Sequence, residues 1–385
     1  MRRESKTNKD FFRGGEIYDA VSKFAEMSES DHSFLYNLIA EFRPHKIVEI
    51  GVAEGGTDAI ILDWLLQNEL IDTEFFAIDL AERQGEKKIG YVVFEWKEYL
   101  SNYEKYHLYT GCVVAEVIEE ICENEKCDFC IIDAAHIMPG EVLDLLAVLP
   151  FIKKNGVIVL HDVMLHHVSK NKCYATQIAF DCIVGNKIWN WDSEKYPNIA
   201  AVQINEDTYR YSLNLISALG LPWEYDPGHE ILEQYAIIVK KYYDDEAYGL
   251  FRKNIDLNLE WRQSNKVYLE KTIVELFNMI RSNSVQRIFL YGAGKAMKRY
   301  LHVLNNHNMK SLVYGILISD DQRRVEDYIE EIKVYKWSEI NYSKDTDVII
   351  NTVLGQEVDQ ILSDSGATFI PAGVLLKEEV YCLLG

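Results

Sequence analysis

From Lys46 to Val163 short apolar runs alternate with amphipathic stretches. Lys46–Ile50, Glu74–Ile78, Tyr106–Tyr109, Asp128–Ile132 and Val157–Leu160 read as strands. Asp58–Gln67 and Glu141–Leu149 carry helical spacing between them. Strands that are apolar without interruption, separated by amphipathic helices, predict a parallel sheet covered on both faces. The polar stretch Ala81–Lys88 reads as a loop and helix entry, and Asn155-Gly156 as the turn into the fifth strand. Residues 164–225 are less regular, with one strand at Ile199–Ile204, and suit a substrate-side insertion. Residues 229–282 are charged, helical in pattern and poor in glycine. A second alternating block begins at Gln286, with strands at Ile288–Tyr291, Ser311–Ile318, Asp347–Asn351 and Thr368–Ile370 and a helix at Lys295–Leu304. The expected organisation is a doubly wound, mostly parallel α/β domain with an N-terminal helical extension (1–228), a helical connector (229–283) and a smaller Rossmann-like domain (284–385).

Length and charge narrow this picture. The chain has 385 residues, enough for two domains. A net charge of -21 weighs against a nucleic-acid partner, which needs a basic footprint. The sequence has no apolar run of membrane-spanning length, and its polar start lacks the apolar core of a signal peptide, so a cytoplasmic protein is expected. Cys122, Cys127 and Cys130 are close enough to suggest zinc, but Cys130 lies inside an apolar strand, where a buried thiol is ordinary.

Ligands of open parallel sheets bind beyond the carboxyl ends of the strands. The first strand ends in Glu49-Ile-Gly-Val-Ala-Glu-Gly-Gly56. The spacing of Gly51 and Gly55 differs from the Gly-x-Gly-x-x-Gly that admits a pyrophosphate, and Ala53 stands where the second glycine would be. A carboxylate beside the turn suits a cationic ligand better than a phosphate. Asp79 ends the second strand, where a carboxylate can accept both ribose hydroxyls. Gly111, after the third strand, is placed near an adenine.

Asp133 and the pair His161-Asp162 end the fourth and fifth strands, which are neighbours in such a fold. Asp133, His161 and Asp162 form a candidate divalent-metal set. A metal there would bind a substrate hydroxyl and lower its pKa. His136 can act as general base, metal ligand or substrate donor. His161 is the other candidate base in a metal-free version.

The stretch around Gly51 resembles motif I of the class I S-adenosylmethionine (SAM) methyltransferases. Asp133 and Asp162 resemble the acidic positions of the metal-dependent branch, which includes catechol and macrolide-sugar O-methyltransferases and cephalosporin-hydroxylase-like proteins. His161 departs from the usual acidic residue. The resemblance implies SAM held by Glu49, Gly51, Glu54, Gly55, Asp79, Gly111 and Asp133. It implies a metal (manganese, iron or magnesium) and methyl transfer to a sugar hydroxyl, nucleotide-linked and from surface-polysaccharide synthesis. The alternatives are a metal-independent methyltransferase with a histidine base and a non-catalytic SAM- or nucleotide-binding partner protein. A homo-oligomer is compatible with all of these.

Trp189, Trp191 and Tyr196 could stack on a sugar, although aromatic clusters are more often core. His166 and His167 follow the second acid closely. In the second block, Gly292-Ala-Gly294 lacks a third glycine because Met297 stands there. This block resembles accessory domains appended to enzymes of surface-polysaccharide synthesis, with a structural or oligomerising role the plainer reading.

Overall fold

The computed structural model describes residues 17–168, 174–191, 197–281, 285–322, 324, 326–353 and 356–370. Two compact units divide the chain: Met1–Trp223 with Pro227–Asn258, and Glu224–Asp226 with Leu259–Gly385.

The first unit is built on a seven-stranded sheet. Its strands are β1 (Lys46–Ile50), β2 (Glu74–Asp79), β3 (Tyr106–Thr110), β4 (Cys127–Ile132), β5 (Ile152–His161), β6 (Asn186–Trp189) and β7 (Ile199–Gln203). They lie in the order β3-β2-β1-β4-β5-β7-β6. All pairings are parallel except those of β7, which runs antiparallel to β5 and to β6. The strand order reverses between β1 and β4, so the crevice expected of a doubly wound sheet opens beyond Ile50 and Ile132.

The alternation along β1 assigns its two faces. Ile47 joins Phe75, Phe129, Val157 and Val159 in a cluster with Leu35, Ile39, Ile61 and Leu65. The last four come from helices α1 (Glu29–Phe42) and α2 (Gly56–Gln67). Glu49 shares the face of Ile47 and is 1% exposed. Ser28 and Asp31 form a reciprocal capping box that starts α1.

Two stretches differ from the pattern-based reading. Ala81–Lys88 contains a small antiparallel ladder, Arg83–Gln84 with Lys87–Lys88, before helix α3 (Tyr91–Trp96). Strand β5 starts at Ile152, five residues before the predicted start, and passes through Asn155 at φ +66°. Its pairing shifts register between Cys127 and Phe129 of β4, because the polar Lys153–Asn155 run interrupts the apolar pattern without ending the strand. Strand β6 follows no apolar run, so its bounds are not marked in the sequence.

The remaining helices of this unit include α4 (Val114–Ile121), α5 (Gly140–Val148), α6 (Ala175–Cys182) and α7 (His229–Tyr242). Helix α8 spans Asp245–Arg281. Two helices therefore fill the stretch expected to be a connector. His229–Asn258 groups with the first unit and Leu259 onward with the second. Among the described residues no helix is long and apolar enough to cross a membrane.

The second unit has a six-stranded sheet. Its strands are β8 (Arg287–Tyr291), β9 (Val313–Ile318), β10 (Tyr328–Ile329), β11 (Ile332–Lys336), β12 (Asp347–Asn351) and β13 (Phe369–Ile370). The order is β10-β11-β9-β8-β12-β13, parallel except for β10 with β11. Helix α9 (Lys295–Asn306) follows the turn after β8.

Candidate active site

The turn from β1 into α2 is shaped by close backbone approach. Gly51 has φ +91°, and a Cβ on it would sit 1.9 Å from the carbonyl oxygen of Asp133. The turn and the end of β4 therefore touch, and only glycine permits this. The Gly51 amide donates to Ile78 O, and the Asp133 amide donates to Ile50 O, which ties three strand ends together.

Asp79 completes the turn. Its Oδ2 accepts from the amides of Val52 (3.0 Å) and Ala53 (3.1 Å), and its Oδ1 accepts from Ala81 N (2.8 Å). The first free amides of the turn thus face a carboxylate of the protein. A phosphate, which would need those donors, meets a negative charge instead. Gly111 lies at φ +73° with its amide donating to Asp79 O. Glu54 O accepts from Val92 N, which links the turn to α3, and Gly55 caps α2 at φ +84°.

Glu49 lies beneath this turn. Its carboxyl meets Asp58 of α2, whose Oδ2 accepts from Tyr106 Oη. Burial first, then the neighbouring Asp58, push Glu49 well above the ordinary carboxylate range. Glu49 Oε2 and Asp58 Oδ1 are both buried without a hydrogen-bond partner, which favours the protonated form of Glu49.

The second cluster gathers at the ends of β4 and β5. His136 Nε2 is 3.1 Å from Asp162 Oδ2 and 3.5 Å from Asp133 Oδ1. Asp133, His136 and Asp162 each offer a ligand atom within 4.8 Å of the others. Among the described residues this is the one such group of histidine, cysteine and acidic side chains. His136 and Asp162 adopt φ +58° and +63°, and Ala53 in the nearby turn +50°. Left-handed backbone in non-glycine residues is uncommon and concentrates at functional sites.

His161 is placed differently from the metal-ligand role expected for it. It is 3% exposed. Its Nδ1 donates to Asp133 Oδ1 at 2.9 Å, and its Nε2 is 3.7 Å from Asp31 Oδ2. His161 is not among the side chains whose ligand atoms converge in the Asp133, His136 and Asp162 group, and its Nδ1 hydrogen is taken by Asp133. Burial lowers the His161 pKa, but the charge and hydrogen bond of Asp133 outweigh it and hold the imidazole well above its usual range. The same attraction outweighs burial at Asp133 and keeps its carboxyl below the ordinary value.

The expected residues thus fall into two adjoining groups. Gly51, Glu54, Gly55, Asp79 and Gly111 surround the turn, with Glu49 beneath it. Asp133, His136, His161 and Asp162 cluster beside it. The sequence reading overlooked Asp31, Glu141, Thr176 and Asn198. Asn198 Nδ2 donates to Asp162 Oδ1, the His136 amide donates to Glu141 Oε1, and His136 Nδ1 is 3.3 Å from Thr176 Oγ1. Ser28-x-x-Asp31 was readable as a helix start, but nothing local marks Asp31 as a neighbour of His161. Cys122, Cys127 and Cys130 are buried free thiols outside any metal-binding group among the described residues. Trp191 is 75% exposed, with its ring 5.7 Å from that of Trp189. Tyr196 lies outside the described residues.

Residues 48–163 match a family model described as a methyltransferase domain. No curated protein matches the chain. Among solved structures, the chain is similar to the O-methyltransferase TomG from Streptomyces achromogenes, involved in tomaymycin synthesis and solved with SAM. That match has 12% identity and a TM-score of 0.39, and covers 49% of this chain and 90% of the other. An O-methyltransferase from Bacillus cereus with S-adenosylhomocysteine (SAH) matches at 15% identity and TM-score 0.35, over 48% of this chain and 87% of the other. A SAH-bound methyltransferase of Podospora anserina matches at 13% identity and TM-score 0.38, over 50% and 87%. The turn and the acidic cluster lie within residues 48–163, the stretch that matches the methyltransferase-domain model, while Asp31, Thr176 and Asn198 reach them from outside it.

Proposed function

We propose that this protein transfers a methyl group from SAM to a hydroxyl oxygen whose deprotonation is assisted by a divalent cation. The observation that carries the metal part is the grouping of Asp133, His136 and Asp162 beside the Gly51 turn. Two carboxylates and one imidazole suit manganese, iron or magnesium. A cation held there would bind the acceptor oxygen and lower its pKa. The preference for SAM over a dinucleotide is supported by Asp79, whose carboxylate already takes the Val52 and Ala53 amides. Gly51, Glu54, Gly55, Asp79 and Gly111 would surround the cofactor, and Asp133 would stand between cofactor and cation. Holding the two reactants in line supplies much of the rate.

The acceptor in this reading is a sugar, nucleotide-linked and from surface-polysaccharide synthesis. Trp189 and Trp191 support it. The register pairs Trp189 with Ala200 and Ala200 with Leu160, so the exposed Trp191 ring follows the strand end on the same sheet edge as His161. Residues 284–385 would be an accessory Rossmann-like domain.

A histidine base without metal is less well supported. His136 Nε2 faces two carboxylates and Nδ1 faces Thr176, which leaves no ring nitrogen turned toward an acceptor. Calorimetric titration with SAH, with and without manganese, tests the whole reading. Binding of SAH together with one manganese per chain is expected. SAH binding with no effect of chelation or added manganese on turnover would overturn the metal part, and no SAH binding would overturn the methyltransferase part.

A further inference from the structure

The metal site proposed above would be built from two carboxylates and a histidine on two loops: Asp133 and His136 follow β4, and Asp162 follows β5. Each of these groups has one side occupied by a second residue. Asp133 Oδ1 accepts from His161 Nδ1 at 2.9 Å. His161 is 3% exposed, and its Nε2 lies 3.7 Å from Asp31 Oδ2. Asp31 is itself fixed by Ser28, whose Oγ donates to Oδ2 at 2.6 Å and whose backbone amide donates at 3.2 Å. Asp162 Oδ1 accepts from Asn198 Nδ2, while its Oδ2 faces His136. Asn198 is held by the chain it supports, because its Oδ1 accepts from Met164 N and its carbonyl accepts from Val163 N.

We infer that His161 and Asn198 are positioning residues: Asn198 holds Asp162 Oδ1 and leaves Oδ2 facing His136, and His161 fixes the Asp133 carboxylate through Oδ1, the oxygen that also faces His136 at 3.5 Å, with Asp31 backing His161 from helix α1. This inference rests on the metal reading of the preceding subsection. His161 thereby touches neither cation nor substrate. The arrangement matches the general rule that the hydrogen-bond partners of metal ligands fix their orientation, and that removing one weakens metal affinity by about 10–100-fold.

The test is calorimetric titration of the full chain, saturated with SAH, using manganese as the probe. His161→Leu and Asn198→Ala are each expected to weaken manganese binding by about 10–100-fold with SAH affinity unchanged. His161→Asn keeps an N–H near the Nδ1 position and is expected to recover most of the loss. A merely structural role would lower SAH affinity as well and would show no such recovery. Equal manganese affinity in His161→Leu and the unaltered protein overturns the inference, as does failure of His161→Asn to improve on His161→Leu. Asp133→Asn separates the two readings. If it abolishes manganese binding while His161→Leu leaves manganese affinity unchanged, the metal site stands and the positioning role fails. If the unaltered protein binds no manganese, the metal site itself fails and the positioning role with it.

Discussion

The two sheets of this chain carry the same turn and put it to different use. In the first, Gly51 follows β1 at φ +91°, and its amide donates to Ile78 O at the end of the neighbouring strand. In the second, Gly292 follows β8 at φ +104°, and its amide donates to Leu317 O in the same way. The strand on the other side also closes alike: Asp133 N donates to Ile50 O, and Thr352 N donates to Tyr291 O. The backbone scaffolds correspond, but the side chains at the strand ends do not. Asp79 turns back onto the first turn, whereas Asp320 accepts from Ser338 N and Oγ, away from Gly292. Asp133 and Asp162 meet around His136, whereas Asn351 bonds Asp359 and Val353 N, and Thr352 Oγ1 donates to Tyr291 O. The second set of strand ends satisfies itself. The comparison shows that a strand–turn–helix is a place where a site can be built, and that the polar groups left facing outward decide whether one is.

Exchanging the two glycines tests that contrast most severely. Gly51→Ala places a Cβ against a backbone carbonyl that cannot move aside, at a φ unfavourable for alanine. A loss above about 4 kcal/mol in urea unfolding is expected, at the exceptional end for one substitution. Gly292→Ala meets Val353 Cγ2 at 2.4 Å, a side-chain atom that can rotate. It should cost about 1–3 kcal/mol, in the range of ordinary overpacking, and leave SAH affinity unaltered. Equal costs would mean that the two turns are equally constrained.

Removal of the outward-facing acids comes next. Asp133→Ala or Asp162→Ala should abolish turnover and manganese binding while SAH still binds. Either variant retaining full turnover would break the metal mechanism. Asp79→Ala leaves two turn amides without their acceptor, at about 1–3 kcal/mol for the pair's lost anchoring. It should weaken SAH binding by about tenfold or more, whereas Asp320→Ala should leave SAH binding unchanged. Isothermal titration of both variants makes the comparison.

The last comparison concerns pH, and one buried acid from each unit contributes with opposite sign. Burial raises Asp144 on α5 from 3.8 to about 6, despite the hydrogen bond from Tyr235. The native state therefore holds this proton more tightly than the unfolded chain. Its contribution is complete below about pH 4 and is lost as pH rises through 6, a swing of about 2–3 kcal/mol. Asp347 in the second unit behaves oppositely. Its burial would raise the carboxyl, but Arg287 and the Ser343 amide outweigh it and hold it below the ordinary value. That contribution is present above the unfolded value and is lost on acidification. Unfolding curves of Asp144→Asn and Asp347→Asn between pH 3 and 7 should each lose one of these slopes. Asp58, also raised to about 6, keeps its own share of the fall, so a fall between pH 4 and 6 as large in Asp144→Asn as in the unaltered protein would remove the assignment to Asp144.

Much of the architecture was readable along the chain. Strands β1, β2, β4, β8, β9 and β12 are apolar runs because both faces of a parallel sheet are covered, and Asp79, Asp133 and Asp320 stand at or just past the ends of β2, β4 and β9. Gly51 declared itself because a tight approach excludes every side chain. The sequence by itself therefore determined the two α/β blocks, the turn and the acids at the strand ends, all properties of local pattern. Only the tertiary structure decided what each polar group faces. His136 joins the two acids and His161 turns inward because Asp31, 130 positions earlier, stands behind it. Glu49 pairs with Asp58 beneath the turn, and Asn198 reaches Asp162 from the start of an antiparallel strand. Hydrogen-bond partners of buried groups depend on which distant segments the sheet order brings together, and no local pattern records that order.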